Sequence, residues 1–533
     1  MANVMNLGHL LTNTARLHGE RYGLRHGEQA WTWRQLDDRA NAMAAALRGL
    51  GVGKGDRILV LSRNCVQMLD SMWAAFKVGA VWVPTNYRLT PDEVAWLGED
   101  SGARAMVYDE GFAAHVDAVR VASPALQRVI AIGEARPGEH RFDDLVEAHA
   151  GAPVDEAAVA YDDPIWFFYT SGTTGRPKGA VLTHGQMTFV VNNQLADILP
   201  GTTCEDVSLV IAPLSHGAGV QFLPQAARGA MSILPTGSRF DVEECWRLVA
   251  EHRVTNMFTV PTILKMMVEH PSVDRHDHSS LRYMVYAGAP MYREDQKLAI
   301  NKLGNVLVQF FGLGEVTCNI TVLPPSMHTA DDDDPKARIG TCGYARTGME
   351  IAAFDAEGRR LGPGEQGELC TRGPAVFAGY YNNPEASAKA LKDGWFHTGD
   401  LGHLDAEGFV YITGRASDMY ISGGSNIYPR EIEEALLTHP AVGEVAVLGV
   451  PDPKWGEAGV AVVVRAPDTE ADEAELLAHL DSRIARYKIP GRVFFWDEVP
   501  KSGYGKVPKH LIRRRLFERG DLVEGESPSG GAA

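Results

Sequence analysis

The sequence predicts an α/β protein: a large N-terminal domain of parallel-type sheets covered by helices, carrying a β-rich subdomain, followed by a small α+β C-terminal domain. Three observations predict it. Short apolar, β-rich runs alternate with stretches of helical length through the first part of the chain, the pattern of strands joined by crossover helices. After about residue 341 the strands shorten and Gly-rich turns such as EGRRLGPGEQGE separate them. Beyond Gly414 a compact series of helices and strands follows, about 115 residues long and of ordinary domain size.

The elements read as follows. The N-terminal stretch MANVMNLGHLLTNTARLHGERYG spaces Met5, Leu10, Leu11 and Leu17 as an amphipathic helix. It lacks the basic start and long apolar run of a signal peptide. Residues 57–61 (RILVL) form a continuous apolar run after a Gly-rich turn and read as a buried strand. Residues 64–76 have helical spacing, and 80–83 read as a strand ended by Pro84. Strands at 106–108, 129–132, 208–212, 231–234, 283–286 and 306–310 continue the series. Those at 349–354, 367–371 and 409–413 belong to the β-rich part. The last unit reads as helix 429–437, strands 445–450 and 458–464, helix 474–486 and strand 492–495. The boundaries are thus 1–414 for the N-terminal domain (about 341–414 its β-rich subdomain), 415–519 for the C-terminal domain and 520–533 for a disordered tail ending SPSGGAA.

Composition narrows the function. The 533 residues hold 51 Lys and Arg against 68 Asp and Glu, a net charge of −17. Such a chain has no general attraction to nucleic acid or anionic lipid, although local Lys, Arg and backbone N–H groups can still grip a phosphate. No run of 18 or more apolar residues occurs, so no integral membrane association is expected. The six cysteines, at 65, 204, 245, 318, 342 and 370, form no C-x-x-C pair. That argues against a zinc knuckle or a disulfide framework and for a reducing, cytoplasmic setting. The acidic run at 331–334 has no His and adjoins Pro335, so it reads as a solvated loop.

The most informative stretch is YTSGTTGRPKG at 169–179, after the apolar run 165–168 (IWFF). Its glycines let consecutive N–H groups turn toward one anion without Cβ obstruction. Thr170, Ser171, Thr173 and Thr174 add hydroxyl donors, and Lys178 adds a mobile positive charge. It is not a Walker A loop, because Gly175 is followed by Arg176 and Pro177 rather than by Lys and Ser or Thr. The plain alternative is a polar loop between a strand and a helix. His216-Gly217-Ala218-Gly219 loosely matches the oxyanion loop of lipases, but no Ser has Gly at both −2 and +2, so a serine hydrolase is set aside.

YTSGTTGRPKG resembles the signature of the adenylate-forming superfamily of acyl- and aryl-CoA synthetases, luciferase and peptide-synthetase adenylation domains. Five further motifs follow in that family's order: AGAPM (287–291), FFGLGE (310–315), HTGD (397–400), GRASDMYISGGSNIYPREIEE (414–434) and PKSGYGKVPK (500–509). The resemblance spans roughly residues 7–515 and is closest to acyl-CoA or aryl-CoA ligases. It implies a two-step reaction with ATP, Mg²⁺ and coenzyme A, in fatty acid metabolism. A carboxylate attacks the α-phosphorus of ATP to give acyl-AMP and pyrophosphate, and a thiol then displaces AMP. Adenylation is needed because a carboxylate has only an oxide to expel.

By the same resemblance, Thr170, Ser171, Gly172, Thr173, Thr174, Gly175 and Lys178 hold the β- and γ-phosphates. Gly288, Ala289 and Pro290 border adenine, Phe311 stacks on it, and Phe310 and Gly312 belong to the same nucleotide-binding motif. Glu315 binds Mg²⁺, a hard cation that prefers oxygen. Asp400 accepts the ribose hydroxyls and Arg415 makes a second ribose or phosphate contact. Lys506 stabilises charge at the α-phosphate, whereas Lys501 and Lys509 read as solvated. Thr174, Lys178, Glu315 and Lys506 are the expected catalytic set. The C-terminal domain acts as a lid that turns about a hinge after Arg415, withdrawing Lys506 and bringing Gly423 and Gly424 to the thiol arm.

Four positions depart from the family pattern. Phe311 replaces a Tyr, Gly314 a Thr that meets the AMP phosphate, and Ser417 the usual hinge Asp or Lys. A lost hydrogen bond at 314 predicts weaker adenylate binding, by roughly 1.5–3 kcal/mol. Phe310 replaces a Gly beside the acyl tunnel, which shortens the pocket and favours a medium-chain, branched or aryl acid. His216, Gly217, Val220, Asn193, Val260, Pro261 and Ala287 are the other pocket candidates. Gly217 stands where amino-acid-activating relatives carry Asp, which argues against an amino acid. Two alternatives stay open: an acyl-AMP ligase that loads a carrier protein, and a catalytically silent adenylate-binding homologue. The oligomeric state is open, with a homodimer the commonest form.

Overall fold

The structure, a computed structural model, describes residues 3–170, 176–237, 239–289, 291–415, 418–422, 425–481, 483–500 and 508–523. A seven-stranded sheet runs in the order Lys178–Thr183, Pro164–Thr170, Val81–Thr85, Arg57–Leu61, Ala105–Asp109, Arg128–Ile132, His140–Arg141. Its neighbours pair parallel except for the first two strands, which are antiparallel. Parallel strands buried on both faces need uninterrupted apolar runs. Residues 58–61 and 81–85 are accordingly buried throughout. Pro84 lies inside its strand instead of ending it. It is tolerated because pairing toward Pro164–Thr170 is confined to Trp82 opposite Trp166.

The second sheet combines both parts of the predicted N-terminal domain. Tyr22–His26, Met231–Leu234, Val207–Leu209, Asn256–Thr259, Tyr283–Tyr286 and Leu307–Phe311 are parallel neighbours. Thr321–Leu323 then pairs antiparallel with Leu307–Phe311 on one side and with Thr341–Ala345 on the other. The β-rich part is therefore the antiparallel continuation of the same sheet rather than a sheet of its own. A third, five-stranded sheet (Tyr420–Ser422, Ser425–Ile427, Val442–Asp452, Gly456–Arg465 and Arg492–Phe495) makes up the C-terminal unit, with apolar clusters on both faces.

Helices begin where side chains can take the first free N–H groups. Thr32 with Gln35, Thr90 with Glu93 and Thr183 with Gln186 form capping boxes, and Gly102 at φ 57 closes Pro91–Ser101. Trp33, Trp73, Trp82 and Trp166 are fully buried, and Trp82 meets Trp166 edge-on at 4.7 Å. This fixes the strand that leads into the glycine-rich segment.

Several expectations are corrected. The N-terminal helix is His9–His18 and buries Leu11, Thr14 and Ala15; Met5 and Leu17 are exposed. The strand expected at 208–212 closes at Leu209, and the helix expected at 474–486 closes at Asp481, before a 3₁₀ turn at Arg486–Lys488. The acidic loop is solvated as expected, with Asp331, Asp332 and Asp333 exposed, and Asp332 pairs there with Arg293 and Lys297. Lys509 is not solvated but pairs with Glu433 at 2.8 Å, while Lys501 lies outside the described residues. Among the described residues no helix is long and apolar enough to cross a membrane.

Candidate active site

The glycine-rich segment connects two antiparallel strands, not a strand and a helix. Thr170 and Lys178 are paired in register across its base. The reason is local: residues 178–183 (KGAVLT) bury most of their side chains as a strand, and the helix starts at His184, after the Thr183–Gln186 capping box. Ser171, Gly172, Thr173, Thr174 and Gly175 lie outside the described residues. At the far shoulder the Arg176 guanidinium lies 4.3 Å from the centre of the Trp96 ring, and Trp96 Nε1 donates to the Pro177 carbonyl at 3.3 Å.

Glu315 sits on the 3₁₀ turn Gly314–Val316 and is buried. Its Oε1 accepts from the Thr170 hydroxyl and from the Tyr380 hydroxyl, each at 2.9 Å. Lys178 Nζ lies 4.5 Å from the centre of the Tyr380 ring, a cation–π contact. Burial first, and the Glu315 carboxylate second, push the Tyr380 phenol well above its ordinary range, so it stays a donor. Residues 378–381 reach this place by pairing with the strand Lys178–Thr183: Val181 N donates to Gly379 O at 2.9 Å and Tyr381 N to Gly179 O at 2.8 Å. Tyr380 escaped the sequence reading because its role comes from pairing across some two hundred residues. The GYYNNPE segment has no local pattern that announces it.

Asp400 and Arg415 face each other across paired strands, with Nε and Oδ1 3.0 Å apart. The turn that carries Asp400 is tightly held. Glu368 accepts the Gly399 N–H at 3.0 Å and contacts His397 Nδ1 at 2.7 Å. Thr398 Oγ1 accepts the Asp400 N–H at 3.0 Å and donates to the Leu369 carbonyl. Cys370 packs beside His397, its thiol pushed up to about 12 by burial and then by Glu368. Glu368, too, was missed by the sequence reading. An aromatic chain links this turn to Glu315: Phe396 meets Phe377 at 5.4 Å, Phe377 meets Tyr380 at 4.8 Å, and Phe377 N donates to the Glu315 carbonyl at 2.7 Å.

Beside these lies an aromatic pocket wall. Phe310 stacks on Phe258 at 5.7 Å and 13°. Phe168 meets His216 edge-on at 5.5 Å. A Cβ on Gly217 would come within 2.8 Å of the Phe258 ring, and one on Gly288 (φ 86) would lie 3.7 Å from Val260. Ala287 packs in one apolar cluster with Phe310, and Val220 is buried in the main core. Phe168 and Thr170 alternate on one side of their strand, and both crowd Gly314, where a Cβ would come within 2.6 and 2.7 Å. Gly312 is similarly pressed against Cys318.

The structure thus brings Thr170, Lys178 and Glu315 together, pairs Asp400 with Arg415, and groups Phe310, Gly217, Val260, Ala287 and Gly288. Asn193 is engaged elsewhere, donating to Asp197 at 3.1 Å and to the Thr347 carbonyl at 2.7 Å. Ala289 and Phe311 are half-buried, while Pro290, Ser417, Gly423, Gly424 and Lys506 lie outside the described residues. The donors at Glu315 are all oxygens, which suits a hard cation such as Mg²⁺.

Comparison with known proteins bears on the whole chain. A family model described as AMP-binding enzyme matches residues 11–381, and one described as AMP-binding enzyme C-terminal domain matches residues 431–506. A feruloyl-CoA synthase of an Amycolatopsis species is 38% identical over 96% of this chain and 99% of its own length. An indoleacetate–CoA ligase of Aromatoleum aromaticum is 34% identical over 97% and 99%. The crystal structure of the anthranilate CoA ligase AuaEII with anthranoyl-AMP superposes with a TM-score of 0.89 at 25% identity, covering 98% of this chain and 99% of that one.

Proposed function

The chain belongs to the AMP-binding enzyme family, and from that premise we propose the acid it activates: an aryl, branched or medium-chain carboxylic acid. The protein is an ATP-dependent carboxylic acid–CoA ligase that works through an acyl-AMP intermediate. In the first step a carboxylate oxygen bonds to the α-phosphorus and pyrophosphate leaves. In the second the CoA sulfur bonds to the acyl carbon, AMP leaves and the thiol proton is released.

The observation that carries the site assignment is the cluster at the base of the hairpin, where Thr170, Lys178, Tyr380 and Glu315 converge. Lys178 supplies positive charge next to the segment that takes the pyrophosphate end of ATP, and Thr170 supplies a hydroxyl. Glu315, with Thr170 beside it, would hold Mg²⁺, which offsets phosphate charge when bound. Tyr380 holds the Glu315 carboxylate in one orientation by donating to it. Asp400 accepts the ribose hydroxyls, and Arg415, 3.0 Å from Oδ1, orients that carboxylate. Gly288, Ala289, Pro290, Phe311 and Gly312 frame the base. Lys506 serves the first step and Gly423 with Gly424 the second, the C-terminal unit turning about a hinge after Arg415.

Phe310 on Phe258 gives the acid a flat aromatic wall and closes the long straight path that a long alkyl chain needs. The test is isotope exchange between labelled pyrophosphate and ATP across a panel of acids, with mass detection of the CoA thioester. Exchange and thioester are expected with aryl or medium-chain acids and not with palmitate. Equal turnover of palmitate would overturn the substrate proposal, and no exchange with any acid would overturn the ligase reading.

A further inference from the structure

The helix Gly217–Arg228 starts at the aromatic wall and runs inward. Gln221 stands one turn beyond Gly217 on the same side of that helix. Its side chain is buried, with 4% exposed, and Nε2 has no hydrogen-bond partner. A carboxamide donor shut away from water without an acceptor is costly, and each such group calls for an explanation. Gln221 lines a small void of about 10 Å³ together with Ser208, Val210, Ala218, Phe222 and Phe258. Phe258 is the ring that stacks on Phe310, so the void borders the pocket wall. A second observation points the same way. Ser232 pairs with Ser208 on the adjacent strand, is fully buried, and its hydroxyl also lacks a partner. The void, lined elsewhere by apolar side chains, thus carries an unsatisfied donor at Gln221, and also Ser208, whose strand partner Ser232 is unsatisfied too.

We propose that Gln221 is a specificity-determining residue whose Nε2–H donates to an oxygen at the distal end of the acid, so that the preferred substrates are aryl acids bearing a hydroxyl or ether oxygen opposite the carboxylate. This rests on the ligase reading above. Three features support it: a flat wall for a ring, a void sized for about one oxygen-bearing group, and an orphan donor lining that void. The carboxylate of such an acid lies toward the Glu315 cluster and its distal oxygen toward Gln221, with Phe168, His216, Phe258 and Phe310 between them.

The test compares 4-hydroxycinnamate with cinnamate, acids that differ in one distal oxygen, in the full-length wild type and in Gln221→Leu. A site built to bond a substrate hydroxyl discriminates strongly against the analogue lacking it. The wild type should favour 4-hydroxycinnamate in kcat/KM by about tenfold or more. Gln221→Leu should lose that preference, mostly through KM, while turning over cinnamate at least as well. Gln221→Glu is a second variant that keeps the size and replaces the donor with an acceptor; it should also lose the preference. The proposal is overturned if both acids lose equally in Gln221→Leu, if the wild-type ratio survives either change, or if the wild type activates other acids but not 4-hydroxycinnamate. In that last case the ligase reading stands. Failure of pyrophosphate release with every acid would remove the ligase reading itself.

Discussion

At the scale of single residues, Gly314 shows how a departure from a family pattern becomes intelligible only in three dimensions. Its sequence suggests a missing hydroxyl and weaker adenylate binding. The structure supplies a reason for the absence: Phe168 and Thr170 fill the space that any side chain at 314 would enter. Both neighbours are engaged, Phe168 against His216 and Thr170 against Glu315. Restoring Thr should therefore not restore binding. Overpacking of this kind costs about 1–3 kcal/mol. Gly314→Thr is expected to lose stability of that order in urea and to raise KM for ATP in the exchange assay, by displacing Thr170 from Glu315. A tighter KM with unchanged stability would show that Phe168 and Thr170 yield without consequence.

At the scale of elements, the helix His184–Asn193 ties the glycine-rich hairpin to the rest of the site. Thr183, the last residue of the strand Lys178–Thr183, is also its N-cap: Oγ1 accepts from Gln186 N at 3.3 Å, and Gln186 Oε1 accepts from Thr183 N at 2.8 Å. Gln186 Nε2 also donates to the Val376 carbonyl, at the head of the segment that delivers Tyr380. Thr183→Ala should cost about 1 kcal/mol in urea denaturation, the usual loss for a cap. An unchanged midpoint would mean that the capping box contributes nothing here. Most strands were legible beforehand because parallel strands must be continuously apolar: the runs at 57–61, 231–234 and 283–286 match their strands residue for residue. The motifs that hold Thr170, Lys178, Glu315 and Asp400 were legible because each concentrates its chemistry within a few residues. What escaped were relations between distant segments. KGAVLT reads ambiguously next to a polar motif, and nothing local says that Tyr380 will lie on its edge or that Glu368 will hold the Asp400 turn. The merging of the β-rich part with the parallel sheet escaped too, because it depends on one three-residue strand, Thr321–Leu323.

At the scale of the whole molecule, buried titratable groups set how the fold responds to acid. His184 and His328 are both pushed down to about 4, burial being the main cause in each. Each is held as a neutral ring. His184 Nδ1 accepts from Leu7 N at 3.2 Å, which fastens the N-terminal segment, and His328 lies between the Tyr286 hydroxyl and the Pro324 carbonyl at 3.0 Å each. An unfolded histidine titrates near 6.5. Between about 6.5 and 4 the unfolded chain therefore binds two protons that the fold refuses, and stability is lost as pH falls through that window. Asp70 acts oppositely. Burial raises it to about 6 despite Arg39 at 2.7 Å, so the folded state takes up a proton before the unfolded one does, and that contribution is lost as pH rises through 6. These three groups together contribute about one proton near pH 5, or roughly 1.4 kcal/mol per pH unit, in the sense of stability increasing with pH. Urea midpoints should rise with pH from 5 to 6 and level off toward pH 7, where unfolded histidine is also mostly neutral. His328→Gln should flatten that rise while lowering stability at pH 7, and Asp70→Asn, which removes the opposing group, should steepen it. Parallel curves for the wild type and His328→Gln would show that the ring protonates within the fold without penalty, and that burial at this end of the parallel sheet does not govern the response to acid.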